Sequence, residues 1–140
     1  MPDLGSDGAD HMRRIVLALA ALEICGVGLV YLAAPATMLA MNGMALAGVN
    51  EAHATRAAYG GLFVAFGALF ALGAVDARMT RPSLVALATF MVGFAVGRIV
   101  SLVADGWPTP AFLGALASEI VFGGLAVAML IRADTAGARA

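Results

Sequence analysis

The sequence predicts an all-α integral membrane protein: a four-helix bundle of antiparallel hairpins with both termini cytoplasmic. Three observations predict it. Of 140 residues, 62% are hydrophobic and 12% charged, against about 45–50% and about 25% in a soluble domain. Too little polar surface is left to face water on every side. The apolar residues fall into four runs, each near the ~20 residues that cross a hydrocarbon core. The basic residues between these runs fall almost entirely on alternate connections, as the positive-inside rule requires.

A polar leader (1–14), a membrane domain (15–132) and a short tail (133–140) make up the chain, with helices expected at about 15–34, 51–75, 83–104 and 111–131. The first run follows Arg13 and Arg14 and ends at Pro35. Its arginine pair and the Ala34-Pro35-Ala36 end resemble a cleavable signal peptide. The run is longer than a signal core of about 7–15 residues, however, and carries Glu23 inside it. It is kept as the first span. The connection after it, 35–50, is still apolar and holds Met38, Met41 and Met44, which suggests a short interfacial or re-entrant helix through 38–44. Asn50 reads as the N-cap of the second span, with Glu51 in its first turn. "DARMTRP" (76–82) and "DGWPTP" (105–110) carry turn residues and separate the remaining spans. Backbone groups in lipid must pair within their own segment, and these runs are too long for barrel strands, so all four are helices.

With four spans, one side holds the leader, the 76–82 connection and the tail, with Arg13, Arg14, Arg78, Arg81, Arg132 and Arg139; the other side holds Arg56 alone. That asymmetry places both termini in the cytoplasm. Tyr31, Tyr59 and Trp107 fall near the outer ends of their spans, where interfacial aromatics anchor. The expected location is therefore a membrane bordering the cytoplasm, crossed several times, with lipids as the surroundings.

Net charge is −1, so no nucleic-acid partner is expected. Cys25 is single and has no disulfide partner. His11 and His53 have no companions at ligand spacing, and the three methionines fit packing better than soft-metal binding. No nucleophile–base pair, phosphate loop, metal cluster or cofactor motif is present, so no metal, cofactor or catalytic residue is assigned. Gly93 and Gly97 form a small-xxx-small pattern that would let helix backbones approach. Nothing in the sequence sets the oligomeric state: the chain could act alone, as a homo-oligomer or in a larger membrane complex.

Three ionisable residues lie deep in the spans. At ~1.5 Å per residue, Arg98 is about 10 Å inward from the turn at 105–106, Glu119 about 13 Å below Pro110, and Glu23 about 13 Å from Arg14. All three can meet near the midplane. Arg98 cannot shed its proton, and a carboxylate matches its guanidinium fork, so Arg98 is expected to pair with Glu119, Glu23 or both. Arg98, Ser101 and Asp105 recur at i, i+3 and i+7 and form a polar stripe toward the outer surface. Arg56 and Tyr59 are placed at the same opening. The first and last spans also echo one another, "ALEICGVGL" (21–29) with "ASEIVFGGL" (117–125), each with a glutamate in mid-helix. Two carboxylates against one guanidinium leave a surplus negative charge, to be met by protonation of one glutamate or by a second cation.

The stretches "NEAHATRAAYGGLF" (50–63), "GRIVSLVADGWP" (97–108) and "SEIVFGG" (118–124) resemble a bacterial four-helix membrane family, domain of unknown function 4345. Arg56, Tyr59, Gly60, Gly61, Gly97, Arg98, Ser101, Asp105, Gly106, Pro108 and Glu119 fit its pattern, while Asn50 stands three residues further from Arg56 than the pattern places it. The resemblance implies a DoxX-like four-helix fold and no established activity. With that resemblance, the leading functional expectation is a small multi-pass protein of the bacterial inner membrane, structural or accessory in role and held by the buried Arg98–Glu119/Glu23 network. The alternative is a binding or transport module whose outward-open polar cleft holds a small polar or anionic ligand at Arg98. An enzyme using Glu23 or Glu119 as acid or base stands third.

Labelling tests the topology. With Cys25 replaced, a cysteine at Ala77 should react with an impermeant maleimide only after sealed spheroplasts are opened, and one at Trp107 without opening. The reverse pattern would invert the bundle.

Overall fold

The computed structural model describes residues 4–137, apart from the side chains of 4–6, 134, 136 and 137. Asp3 of the leader and Arg139 of the tail lie outside the described residues. Helices α1 (Leu4–Ala33), α2 (Pro35–Met41), α3 (Val49–Thr55), α4 (Leu62–Val75), α5 (Ala77–Asp105) and α6 (Pro110–Gly137) come in that order, and a π-helical segment, Arg56–Gly61, joins α3 to α4. There is no strand among the described residues. Four stretches, Asp7–Ala33, Val49–Val75, Ala77–Asp105 and Pro110–Ala133, are long and apolar enough to cross a membrane.

Several helix ends differ from the sequence expectation. The polar leader continues α1 as far back as Leu4 instead of standing apart from it. Asn50 is not the N-cap: α3 begins at Val49 after Gly48, and Glu51, in its first turn, accepts from the Ala47 backbone N–H. That reach satisfies a donor just outside the helix, as a capping-box glutamate does. The "DARMTRP" stretch is not a loop. Asp76 alone separates α4 from α5, its carboxylate accepting from the Arg78 N–H at 2.9 Å, and Pro82 is carried inside α5. Near the Asp76 junction Thr80 donates to the Gly73 carbonyl at 2.8 Å and Ser83 to that of Leu69 at 2.8 Å. Carbonyls near the end of α4 thus gain side-chain partners from α5. The short helix α2 lies a few residues earlier than expected and stops in a Schellman turn: Met44 N–H to Leu39 O, Gly43 N–H to Ala40 O, with Gly43 at φ 75°.

α1 packs most extensively on α4, α4 on α5 and α5 on α6, while α1 and α6 touch much less. Leu17, Phe70, Leu84, Leu87 and Met91 are fully enclosed at the centre. A run of tilted and edge-on aromatic pairs extends from this core: Phe66–Phe90 with centroids 4.7 Å apart, Phe63–Phe94 at 5.5 Å and Tyr31–Tyr59 at 5.3 Å. Along the α4–α5 seam the residues meet in opposite chain order: Gly73 by Ser83, Phe66 by Phe90, Phe63 by Phe94.

Glycine sets how near the helices come, at positions other than the sequence motif. A Cβ on Gly28 of α1 would lie 2.9 Å from the Phe63 Cβ and from the Val64 nitrogen. One on Gly67 of α4 would run into Cys25 Sγ and lie 2.9 Å from the Cys25 nitrogen. At Gly93 and Gly97 a Cβ would meet nothing within 4 Å. The expected close packing through Gly93 and Gly97 is therefore corrected: hydropathy spacing marks small residues without saying which face they occupy. Gly67→Ala should destabilise the protein by about 1–3 kcal/mol through overpacking, whereas Gly97→Ala should be nearly neutral. Thermal unfolding in detergent reads the difference, and equal losses would contradict the packing described.

Candidate functional site

Because α1 closes on α4 and only loosely on α6, the bundle leaves a cavity of about 790 Å³ between α1, the π-helical segment, α5 and α6, with α2 and the segment after it across one end. Most of its lining is apolar, including Ile24, Val27, Phe63, Phe90 and Phe94. Its size lies within the range of about 300–1,000 Å³ typical of small-molecule sites. The sequence led to a polar cleft; the cavity instead has apolar walls and a few polar groups held at one level.

Those groups come from three helices. Arg98 on α5 donates from Nε to Glu119 Oε1 on α6 at 2.7 Å, and its guanidinium carbon lies 5.0 Å from the Phe112 ring centroid. Salt bridge and aromatic face together give this charge the compensation that a low-polarity site demands. Glu119 is only 7% exposed, and its second oxygen, Oε2, is buried without a hydrogen-bond partner among the described residues. Glu23 on α1 accepts from the Ser118 hydroxyl through Oε1. The glutamates of the two echoing segments thus face one cavity from α1 and α6, beside one arginine.

The other expected residues divide. Ser101 and Tyr59 line the cavity. Asp105 does not; it accepts from Ser101 Oγ at 2.7 Å at the exposed end of α5. Arg56 is not at the opening either. Its Nε donates to the Leu32 carbonyl at 3.0 Å, so it closes the C-terminal end of α1, where carbonyls lack helical partners. Tyr31, expected to anchor at the lipid interface, is 7% exposed and lines the cavity beside Tyr59. Trp107 is 82% exposed.

Ser118, Phe112 and Tyr31 are site residues that sequence spacing missed. Ser118 adjoins Glu119 in the chain, yet it serves Glu23, a link only the tertiary fold makes. The π-helical segment carries Tyr59; an i→i+5 turn shifts the rotational phase of the residues beyond it, and such turns favour functional sites. Met38, Met41 and Met44 face the cavity with Asn42, and the Asn42 amide holds the end of α2 by donating to Met38 O at 2.8 Å. No group of three or more His, Cys, Asp or Glu suited to a metal ion occurs among the described residues.

A family model described as a domain of unknown function, DUF4345, matches residues 12–130. That span takes in the cavity and nearly all of the four long helices. No curated protein and no solved structure matches the chain significantly.

Arg98→Leu should destabilise the protein by about 3–5 kcal/mol by leaving Glu119 buried and alone, and the double change Arg98→Leu/Glu119→Leu should recover most of the loss. Unfolding of the purified variants in micelles measures both. Additive losses would mean that the pair is not coupled.

Proposed function

The chain belongs to the DUF4345 family, whose function is unknown, and on that premise we propose that it is a multi-pass binding protein of the bacterial inner membrane, holding a lipophilic small molecule with a polar head between its helices. The four spans run antiparallel with both termini cytoplasmic, in keeping with the arginine distribution and the opposite order of contacts along α4 and α5. Lipid covers the exposed apolar side chains, such as Leu22, Val75 and Val103.

The observation that carries this reading is the cavity of about 790 Å³ around the Arg98–Glu119 pair. A pair serving only to register two helices needs no open volume beside it, since a close-packed interface would hold it better. Here glycines at 93 and 97 keep the cavity wall open, aromatic and aliphatic side chains provide the walls, and the polar groups lie together. A ligand with an apolar body and one hydrogen-bonding end suits that division. Entry passes the methionine segment, whose flexible thioether side chains adapt to varied shapes.

A structural or accessory role is the second reading. It rests on the Arg98–Glu119 and Ser118–Glu23 contacts, which tie α5 to α6 and α6 to α1 and would serve to hold the bundle with the cavity empty.

Filling the cavity separates the two. Native mass spectrometry of protein released from mild detergent should show a small lipophilic adduct on the wild type that is lost from Gly97→Leu, with the variant's thermal stability unchanged. An adduct retained by the variant, or none on either protein, would favour the structural role.

A further inference from the structure

Resting on the binding reading above, we propose that the cavity selects a lipophilic cation, a substituted ammonium or similar onium group with an apolar body, and that Glu23 is the charge that selects it. The sequence pointed to Arg98 as the receptor of a small polar or anionic ligand. The structure argues against the anion: Arg98 already has a carboxylate partner at 2.7 Å and an aromatic face at 5.0 Å. An anion on its remaining N–H groups would lie beside the Glu119 carboxylate already on that guanidinium and share the cavity with Glu23, and like charges held close together are disfavoured in a low-polarity site.

The charged residues lining the cavity are Glu23, Arg98 and Glu119. With both carboxylates ionised against one guanidinium, one negative charge is in excess. Glu119 is committed to Arg98, so the excess belongs to Glu23, whose partner is the neutral Ser118 hydroxyl. Glu23 is half-buried at the cavity wall and open to approach, whereas Glu119 is enclosed. A second observation points the same way. Glu119 Oε2 lacks any hydrogen-bond partner among the described residues, so the carboxylate beside Arg98 is itself only partly compensated.

The walls suit the same ligand. Tyr31, Tyr59, Phe63 and Phe94 line the cavity, and aromatic faces attract an organic cation through their quadrupoles, more so when water is excluded. One carboxylate among several aromatic rings attracts a diffuse positive charge and repels a diffuse negative one of the same shape.

Tetraphenylphosphonium and tetraphenylborate form such a pair, alike in shape and opposite in charge. Binding of each to the purified full chain in detergent should favour the phosphonium. Glu23→Gln, which keeps the acceptor for Ser118, should weaken the phosphonium by roughly tenfold, the factor expected for loss of one desolvated charge pair, and leave the borate unchanged or tighter. Glu23→Asp, which keeps the charge, should retain the preference. Equal binding of both probes, tighter borate binding, or an unaffected phosphonium in Glu23→Gln would overturn the cation assignment while leaving the cavity a binding site. Binding of neither probe, with no adduct on the wild-type protein, would remove the binding reading and this inference together.

Discussion

Arg98 imposes the constraint around which the rest is arranged. A guanidinium stays charged in any accessible condition, and within an apolar span it needs a counter-charge and donor–acceptor partners. Glu119 provides the carboxylate and Phe112 an aromatic face. To place them, α6 must pack on α5 with the two residues at one level, and the α5–α6 contact is among the most extensive in the protein. The seam closes where Gly123 lets Met91 and Val92 approach, a Cβ there lying 3.2 Å from Met91 Cβ. The helix pair thus has one register, enforced by charge and permitted by a missing side chain.

The rest of the bundle obeys a different logic. α1 meets α4 and the π-helical segment before it through Gly28, Gly60 and Gly67, against Phe63, Leu32 and Cys25 respectively. Among lipid tails, burial of apolar surface does not favour one helix contact over another, and close backbone approach supplies the attraction instead. Two tight seams, α1 on α4 and α5 on α6, are joined through the packing of α4 on α5. The fourth side, between α1 and α6, is where the cavity lies. There the Ser118–Glu23 hydrogen bond makes a contact that glycine packing does not.

Much of this was legible in the chain. The four apolar helices, the convergence of Glu23, Arg98 and Glu119, and the demand of an arginine for a carboxylate all come from residue type and chain distance. The family pattern was legible too. Less so were the rotational phases. These helices are apolar nearly all round, so no stripe in the sequence marks the inward face. That is why Gly93 and Gly97 read as packing residues and line a cavity, and why Tyr31 reads as a lipid anchor and is buried. Arg56, placed at the opening from spacing alone, turns instead to the end of α1. The π-helical segment beside it inserts a phase change that hydropathy does not encode.

Sequence by itself therefore determined the solvent, the number of spans and the charges that must be neutralised, because hydropathy and ionisation belong to individual residues. The tertiary structure decided which glutamate neutralises the arginine, which glycines carry the packing, and that a volume remains between α1 and α6. Those outcomes depend on how each helix is rotated about its axis. In a uniformly apolar helix that rotation is settled by contacts with its neighbours, and composition does not encode it.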